Sequence, residues 1–380
     1  MKFIPDKIYY FPKDNNHDNI KKNTFEIFVM NNDNLDIYLR KNDKIIVNKE
    51  GQEQKKKIND EGIGNETYEE LAIKTLELKQ KDRIKLINLK HGINNTSQPI
   101  LYMNNGSILV KGGYWNGNII LQNLIKTKES HNVIKESSNN VYIYTTNEYS
   151  PIMKIVFDKN ENFAICGNTN GTIYVFRINI NNKLNWNLYR IINDHNSPIV
   201  SIALNETLNM AITCSENGLC MLYSLPYFKL YNSFIIGKDD KDITNDNEIL
   251  CPDLVFISDS PLPCFVFYIN NKQTLLFYSI NGKLLSKHAL NYELNKNSIK
   301  IYRDYQFVDY LVLYNLEKNM FEIRSMIEFE LIGCSPALPQ FQFIDFVFSW
   351  DMEHILVFGK NNQKYKLYAI YDSDTKINWK

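Results

Sequence analysis

Short apolar runs and asparagine-rich turns alternate along this chain in a unit that recurs without copying itself. In each unit an apolar run ends at Asn or Asp, a second run ends in an Asn-containing hairpin, and a third run follows. Alternating apolar positions bounded by Asn, Asp and Gly are typical of β-strands. The unit is clearest at residues 26–47, 154–175, 201–223 and 343–370. Strand triplets repeated at this period predict an array of β-sheets.

Seven hairpins between the second and third strand of a unit are predicted. They centre on Asn42, Asn116, Asn170, Asn217, Asn271, Lys318 and Asn361. Apart from insertions, their spacing is close to the roughly 40–45 residues of a propeller blade. The strongest turn signal is Asn-Gly at 116–117, 170–171 and 217–218, because a type I′ turn needs positive φ at both central residues. We therefore predict an all-β, seven-bladed β-propeller in which residues 1–380 form one domain.

The repeat also assigns the outer strands of the blades. The cores of the blades are placed at 24–48, 99–124, 150–178, 187–225, 252–280, 298–327 and 341–371. The segment NLYRIIND (187–194) is taken as the outer strand that begins the fourth blade. The N-terminal KIYYF (7–11) is taken as the outer strand of the last blade, which would close the ring with strands from both ends of the chain and remove its sheet edges.

Two polar insertions interrupt the repeat of strand triplets, at 49–82 and at 237–248. Both are rich in charge and poor in apolar residues, which favours solvated and partly disordered loops. Within the first insertion, residues 66–80 fit either a short helix or a strand, and the pattern leaves both open.

Charge and cysteine content restrict the function classes. Lys plus Arg and Asp plus Glu both number 43, so no net charge steers the whole molecule toward nucleic acid or anionic membrane. The six cysteines form no Cys-x-x-Cys pair, which is typical of reduced thiols in a cytoplasmic protein. The charged N-terminal residues predict no signal peptide, and no apolar run reaches the ~18 residues of a transmembrane helix.

Three segments resemble one known family: GGYWNG (112–117), the segment from Asp194 to Leu225, and LLFYSINGKLLSKHAL (275–290). They are similar, in the same order, to the C-terminal WD-repeat propeller of BEACH-domain proteins, the neurobeachin and lysosomal-trafficking-regulator group. The resemblance implies a divergent WD-repeat propeller. The chain departs from that pattern where Asp194-His195 replaces the Gly-His of the repeat and where Tyr223-Ser224 replaces its Trp-Asp.

The resemblance also implies a set of structural site residues. The WD hydrogen-bond tetrad would be represented by His195, by Thr213 or Ser215, by Asn217 and by Tyr223, while Glu148 takes the place of His195 one blade earlier. The hairpin glycines Gly171 and Gly218 belong to the same pattern. Trp115 is expected to pack between blades beside Gly112 and Gly113. The alternative is an aromatic anchor on an interaction rim of the propeller.

No motif for catalysis or cofactor binding is found. The chain lacks the Gly-x-Ser-x-Gly elbow, the P-loop and the Gly-x-Gly-x-x-Gly fingerprint. Its His and Cys residues show no zinc spacing, and the acidic run from Asp239 to Asp246 lacks the glycine and the closing glutamate of a calcium loop. A structural role is favoured for His195 over that of a catalytic base. No catalytic residue, cofactor or metal is assigned.

The function predicted is a non-enzymatic protein-interaction scaffold that binds proteins through propeller loops. The resemblance implies vesicle or lysosome-related membrane trafficking, in the cytoplasm and peripheral to endomembranes through a linked BEACH domain or through partners. No direct contact with nucleic acid is expected. One alternative is a WD-repeat subunit of another complex, in RNA processing, ciliary transport or ubiquitin ligation. Another is a propeller hydrolase or lyase, which would need polar side chains converging on the central channel.

Overall fold

The computed structural model describes thirteen segments of the chain. They are residues 9–12, 25–31, 34–40, 71–76, 78–85, 99–103, 107–124, 141–146, 148–238, 250–304, 306–348, 354–361 and 364–372. Up to residue 85 the description is of the backbone. These segments form 28 strands, numbered β1 to β28 in chain order, and one short 3-10 turn at Asn270–Lys272. The chain divides into two units: an N/C unit of Met1–Lys85 with Asn297–Lys380, and a middle unit of Leu86–Lys296.

The described strands of the N/C unit make four-stranded antiparallel sheets. In order across each sheet they are β1 (Tyr9–Pro12), β2 (Phe25–Asn31), β3 (Asn34–Arg40) and β5 (Leu78–Lys85); β22 (Ile299–Arg303), β23 (Asp309–Asn315), β24 (Met320–Ser325) and β25 (Leu331–Cys334); and β26 (Gln342–Phe348), β27 (His354–Asn361), β28 (Lys364–Asp372) and β4 (Leu71–Leu76).

In the middle unit each sheet follows the chain order from its first strand to its fourth. The sheets are β6 (Ile100–Met103), β7 (Ile108–Lys111), β8 (Asn118–Asn123) and β9 (Val141–Thr145); β10 (Ile152–Phe157), β11 (Phe163–Asn168), β12 (Ile173–Ile178) and β13 (Trp186–Ile192); β14 (Ile199–Asn205), β15 (Met210–Ser215), β16 (Leu219–Ser224) and β17 (Lys229–Ile235); and β18 (Leu254–Ser258), β19 (Cys264–Ile269), β20 (Thr274–Ser279) and β21 (Leu284–Ala289).

The prediction that the N-terminal strand closes the last blade is wrong. The N-terminal strand β1 pairs with β2 at the edge of the first sheet, with Tyr10 opposite Ile27. The sheet of β26, β27 and β28 instead receives β4, in which Ile73 lies opposite Ile370. Alternating apolar residues specify that a segment becomes a strand, but they do not specify which sheet edge it joins.

The first polar insertion is therefore not a loop throughout. Its last part and the residues after it form β4 and β5, which occupy outer positions in two different sheets. The strand alternative for residues 66–80 is thus correct over 71–76 and 78–80. Residues 49–70 and most of the second insertion, 239–248, lie outside the described residues.

Six of the seven predicted hairpins lie where the pattern placed them, between the second and third strands of a sheet. The first does not, because β2 and β3 already pair as neighbouring strands, with Asn31 opposite Asn34, while Asn42 follows β3 and lies outside the described residues. The outer strand assigned to the fourth blade also belongs to a different sheet. Its residues form β13, which pairs with β12 and completes the preceding sheet.

The core of each unit lies between neighbouring sheets. In the middle unit, Val175 and Ile199 pack with Tyr223 between the β10–β13 and β14–β17 sheets. In the N/C unit, Tyr314 and Phe343 stack with ring centroids 4.3 Å apart between the β22–β25 and β26–β28 strands. Among the strands whose side chains are described, the third strand β12 is almost fully buried while the fourth strand β13 is largely exposed, so burial falls toward the fourth strand of that sheet.

All six cysteines are free thiols, and Cys166, Cys214, Cys220 and Cys264 are buried in strands as expected. Cys251 and Cys334 are half-buried. Across the described segments there is no helix of the length and hydropathy needed to span a bilayer.

Candidate functional site

A loop between two sheets carries His195, the histidine that the WD resemblance singled out. Residues 193–198 connect β13, the last strand of one sheet, to β14, the first strand of the next. His195 points from this loop into the second sheet and is buried. Its Nδ1 lies 2.9 Å from Ser215 Oγ and its Nε2 lies 2.8 Å from Thr213 Oγ1. These two hydrogen bonds attach the loop to two residues of β15.

The network of His195 has one consistent direction of hydrogen bonding. Asn217 Oδ1 accepts the backbone N–H of Leu219 at 3.2 Å and the hydroxyl of Ser215 at 2.7 Å. Because Ser215 donates its proton there, its oxygen must accept from Nδ1–H of His195. Nε2 of the neutral ring then accepts the hydroxyl proton of Thr213. The Nδ1–H tautomer of a neutral imidazole satisfies this pattern of hydrogen bonds.

Burial is the main reason that the pKa of His195 is lowered. Desolvation lowers the pKa of His195 to about 4, while the nearby Asp194 carboxylate acts in the opposite direction. A proton on the ring would charge a side chain that water does not reach. His195 is therefore neutral at physiological pH and acts as a hydrogen-bond connector, not as a cation.

Tyr223 occupies the position of the repeat tryptophan and extends the network to Asp194. Its hydroxyl donates to Asp194 Oδ2 at 3.2 Å. Burial raises the pKa of Tyr223, and the negative charge of Asp194 raises it further, so the phenol stays protonated and keeps donating. The loop is held by two adjacent side chains, one bound to β15 and the other to β16.

An acidic version of the same arrangement lies one sheet earlier. Glu148, from the loop between β9 and β10, accepts hydrogen bonds from Asn168 Nδ2 at 3.0 Å and from Thr172 Oγ1 at 3.1 Å. Asn168 ends β11 just as Ser215 ends β15. Burial and then the Glu148 charge raise the pKa of Tyr174 to about 12. Glu148 thus ties its loop to the hairpin of the following sheet, as His195 does.

The hairpin glycines provide the other side of these loops. Gly171 and Gly218 have φ of +88° and +75°, a region that disfavours any residue with a Cβ. A Cβ on Gly171 would lie 2.6 Å from the carbonyl oxygen of His195, and one on Gly218 would lie 2.7 Å from that of Leu250. The backbone of each of these two inter-sheet loops therefore packs directly against the hairpin glycine of the preceding sheet.

The structure brings together His195, Thr213, Ser215, Asn217 and Tyr223, and it places the hairpin glycines at the ends of the same sheets. Asp194 joins this group, although the sequence indicated it only as part of the Asp194-His195 pair that replaces the Gly-His of the repeat. Its carboxylate sits beside Tyr223 because the chain reverses direction at the loop, and no local pattern signals that contact.

Trp115 is not packed between blades. Its side chain is 60% exposed in the hairpin between β7 and β8. The reason is local: Gly117 donates to the carbonyl of Tyr114 at 2.9 Å, and the resulting turn buries Tyr114 while Trp115 points outward. Tyr149, which the sequence did not single out, is 92% exposed on the loop that lies against this hairpin.

The N/C unit has a polar cleft of about 650 Å³ at the corresponding hairpin end of its sheets. Its lining is mostly amide and charged, formed by Leu316, Glu317, Asn319, Gln340, Phe341, Gln342, Lys360 and Asn361. On first strands of the same unit, Lys300 Nζ and Asp345 Oδ1 lie 2.9 Å apart and join two sheets. Over the described residues, no three His, Cys, Asp or Glu side chains converge as a metal site would require.

No known family profile matches the chain, and no curated protein matches its sequence. Among solved structures, the chain is similar to one described as "Crystal Structure of Mitotic Checkpoint Complex". The TM-score is 0.52 at 10% sequence identity, over 97% of this chain and 92% of that chain. This likeness, together with the four-stranded sheets, supports an all-β propeller fold. At 10% identity this likeness supports the fold and gives no information about function.

Proposed function

We propose that this chain is a non-enzymatic protein-interaction scaffold of the WD-repeat propeller type. The observation that carries the proposal is the fixed loop face of the middle unit. Hydrogen-bond networks around the buried His195 and the partly buried Glu148 hold two inter-sheet loops in place, while Trp115 and Tyr149 remain exposed beside them. Rigid loops with exposed aromatic residues are the features that anchor protein partners.

The finer proposal is that the four-stranded sheets are the seven blades of one propeller domain spanning residues 1–380, of the BEACH type. The similarity of segments 112–117, 194–225 and 275–290 to BEACH-type propellers supports it. The proposed role is in vesicle or lysosome-related trafficking, in the cytoplasm at the surface of endomembranes. Binding would be through proteins, without direct contact with nucleic acid, and membrane association would come from a linked BEACH domain or from partners.

Quantitative affinity capture with the full chain tests this role. We expect enrichment of vesicle-coat, tethering or lysosome-related components over a capture with an unrelated propeller. Recovery of only ribosomal or proteasomal subunits would contradict the trafficking role. Recovery of a stoichiometric RNA-processing, ciliary or ubiquitin-ligase complex would favour the alternative of a subunit in that assembly.

A propeller enzyme is the rival from another class. Such an enzyme needs several polar side chains that converge on one point and are free to act on a substrate. Lys300 and Asp345, the charged pair on first strands described above, neutralise each other, and Lys300 also donates to the carbonyl of Phe346. A hydrolase or lyase activity that is abolished by Asp345→Asn without loss of folding would overturn the scaffold proposal.

A further inference from the structure

One part of the loop end of the middle unit combines two exposed aromatic rings with three carboxylates. We define the hairpin face as the hairpins 112–117, 169–172 and 216–218 together with the loop residues 146, 148–151 and 193–198. These segments contain Glu148, Asp194 and Glu216 and no Lys or Arg. His195 adds no charge there, because it is neutral and buried.

The two aromatic residues belong to one continuous part of this face. The loop of Tyr149 lies against the hairpin of Trp115, because Thr146 Oγ1 donates to the carbonyl of Gly117 at 3.0 Å. The same loop is fixed on its other side by Ser150 Oγ, 2.8 Å from Thr169 Oγ1. Trp115 and Tyr149 therefore project from turns held by internal hydrogen bonds, and little conformational freedom is lost when a partner binds them.

The carboxylates lie on either side of the next hairpin. Glu148 binds the hairpin 169–172 from one side through Thr172, and the loop of Asp194 contacts it from the other side at Gly171. In the described part of the chain, the hydrogen-bond partners of Glu148 are neutral, as is the partner of Asp194. Glu216 is exposed on the neighbouring hairpin. Among the described residues, no salt bridge pairs these three carboxylates with a cation.

We propose that the hairpin face docks an arginine-containing extended segment of a partner protein, an inference that rests on the proposed scaffold function. Exposed Trp and Tyr rings attract cations at their faces, and a guanidinium stacks on them as an ammonium does not. Carboxylates accept its paired N–H groups. An acidic surface of this kind repels nucleic acid and anionic lipid, so a basic polypeptide is the occupant that its charge and its aromatic rings fit.

Fluorescence anisotropy with a labelled peptide of alternating Arg and Ser tests the inference on the full chain. We expect saturable binding that weakens about tenfold in the double variant Trp115→Ala/Tyr149→Ala. Glu216→Gln, which removes an exposed charge, is expected to weaken binding by a few-fold. The matched control is Tyr227→Ala, since Tyr227 is 70% exposed in the turn between β16 and β17 and its carbonyl accepts a hydrogen bond from Arg190. It should leave the Kd unchanged.

Peptides of the same length test the chemistry. A Lys–Ser peptide should bind several-fold more weakly than the Arg–Ser peptide, and a Glu–Ser peptide should not bind. Equal binding of the Arg–Ser peptide by the double aromatic variant and the unaltered chain would overturn the docking site, as would tight binding of the Glu–Ser peptide or of a single-stranded oligonucleotide.

Different experimental outcomes would contradict the docking site and the scaffold function. If affinity capture recovers trafficking components equally well with the double aromatic variant, the docking site is wrong and the scaffold proposal stands. If the Arg–Ser peptide binds at Trp115 and Tyr149 but capture recovers no trafficking component, the trafficking role is wrong and the docking site stands.

Discussion

The Nε2 atom of His195 lies 2.8 Å from the hydroxyl oxygen of Thr213, so a loop that leaves one sheet is fastened inside the next. The ring has a second partner, Ser215, on the same strand. Two hydrogen bonds to one strand fix both the position and the plane of the imidazole. The exposed loop residues around His195 are consequently presented in one conformation.

Replacing His195 by Gln should destabilise the protein by about 2–3 kcal/mol at pH 7, because two buried hydroxyl groups lose well-placed partners. Equilibrium urea unfolding measures the change. Asn196→Gln, at the exposed neighbouring position of the same loop, is the matched control and should lie within 0.5 kcal/mol of the unaltered protein. Equal losses in the two variants would show that the network does not stabilise the loop.

The stabilisation from His195 should disappear on acidification. The pKa of His195 is about 4 in the folded protein and about 6.5 in the unfolded chain. Between these values the unfolded state binds the additional proton, so stability falls as pH falls from about 6.5 toward 4. By pH 4.5 the contribution lost is roughly 2–3 kcal/mol. The stability difference between the unaltered protein and His195→Gln, measured by urea unfolding, should shrink accordingly. A difference that stays constant from pH 7 to pH 4.5 would contradict the lowered pKa.

Gly218→Val should cost about 2 kcal/mol or more, because it forces a β-branched residue to positive φ and places its Cβ against the carbonyl of Leu250. Gly333→Val is the control within the same chain. Gly333 lies in strand β25 with no atom within 4 Å of an added Cβ. Its melting temperature should be unchanged or slightly raised. The prediction fails if the two variants melt together.

Proline in β4 should destabilise the last sheet. Ala72 and Ile73 pair with Tyr371 and Ile370 of β28, and N–H groups of successive residues in a strand point to opposite sides. One of the variants Ala72→Pro and Ile73→Pro must therefore remove a ladder hydrogen bond, at a cost of about 2 kcal/mol. Ile73→Val is the control that keeps the strand. If both proline variants melt like the control, β4 does not complete this sheet.

The charged pair between first strands is suited to a double-mutant cycle. Asp345 is almost fully buried, so Lys300→Met removes a cation that lies 2.9 Å from its carboxylate and should cost roughly 2–3 kcal/mol. Adding Asp345→Leu should recover part of that loss, because no unpaired buried charge remains, although the backbone N–H of Phe346 then loses its acceptor. Chemical denaturation of the single and double variants measures the coupling. Additive losses would show that the pair does not act as a unit.

Local patterns identified much of the fold. Six hairpins were located because a turn at Asn170 or Asn217 depends on neighbouring residues alone. The residues of the His195 network were also recognisable, since a repeat places its polar residues at fixed offsets within one sheet. The first hairpin was misplaced because the N-terminal triplet was aligned one strand out of step, and the alternation of residues 26–47 fits either alignment.

The sequence by itself determined that apolar alternation and Asn-Gly turns produce successive strand hairpins, and that hydroxyl, amide and imidazole groups recur near their ends. Only the tertiary structure decided that β4 joins β28 instead of β1 doing so, that Asp194 meets Tyr223, and that Trp115 faces solvent beside Tyr149. The physical reason is the range of the interactions. Turns and strand alternation are set within a few residues, whereas sheet-edge pairing and the convergence of loops depend on segments that meet only after the chain has folded.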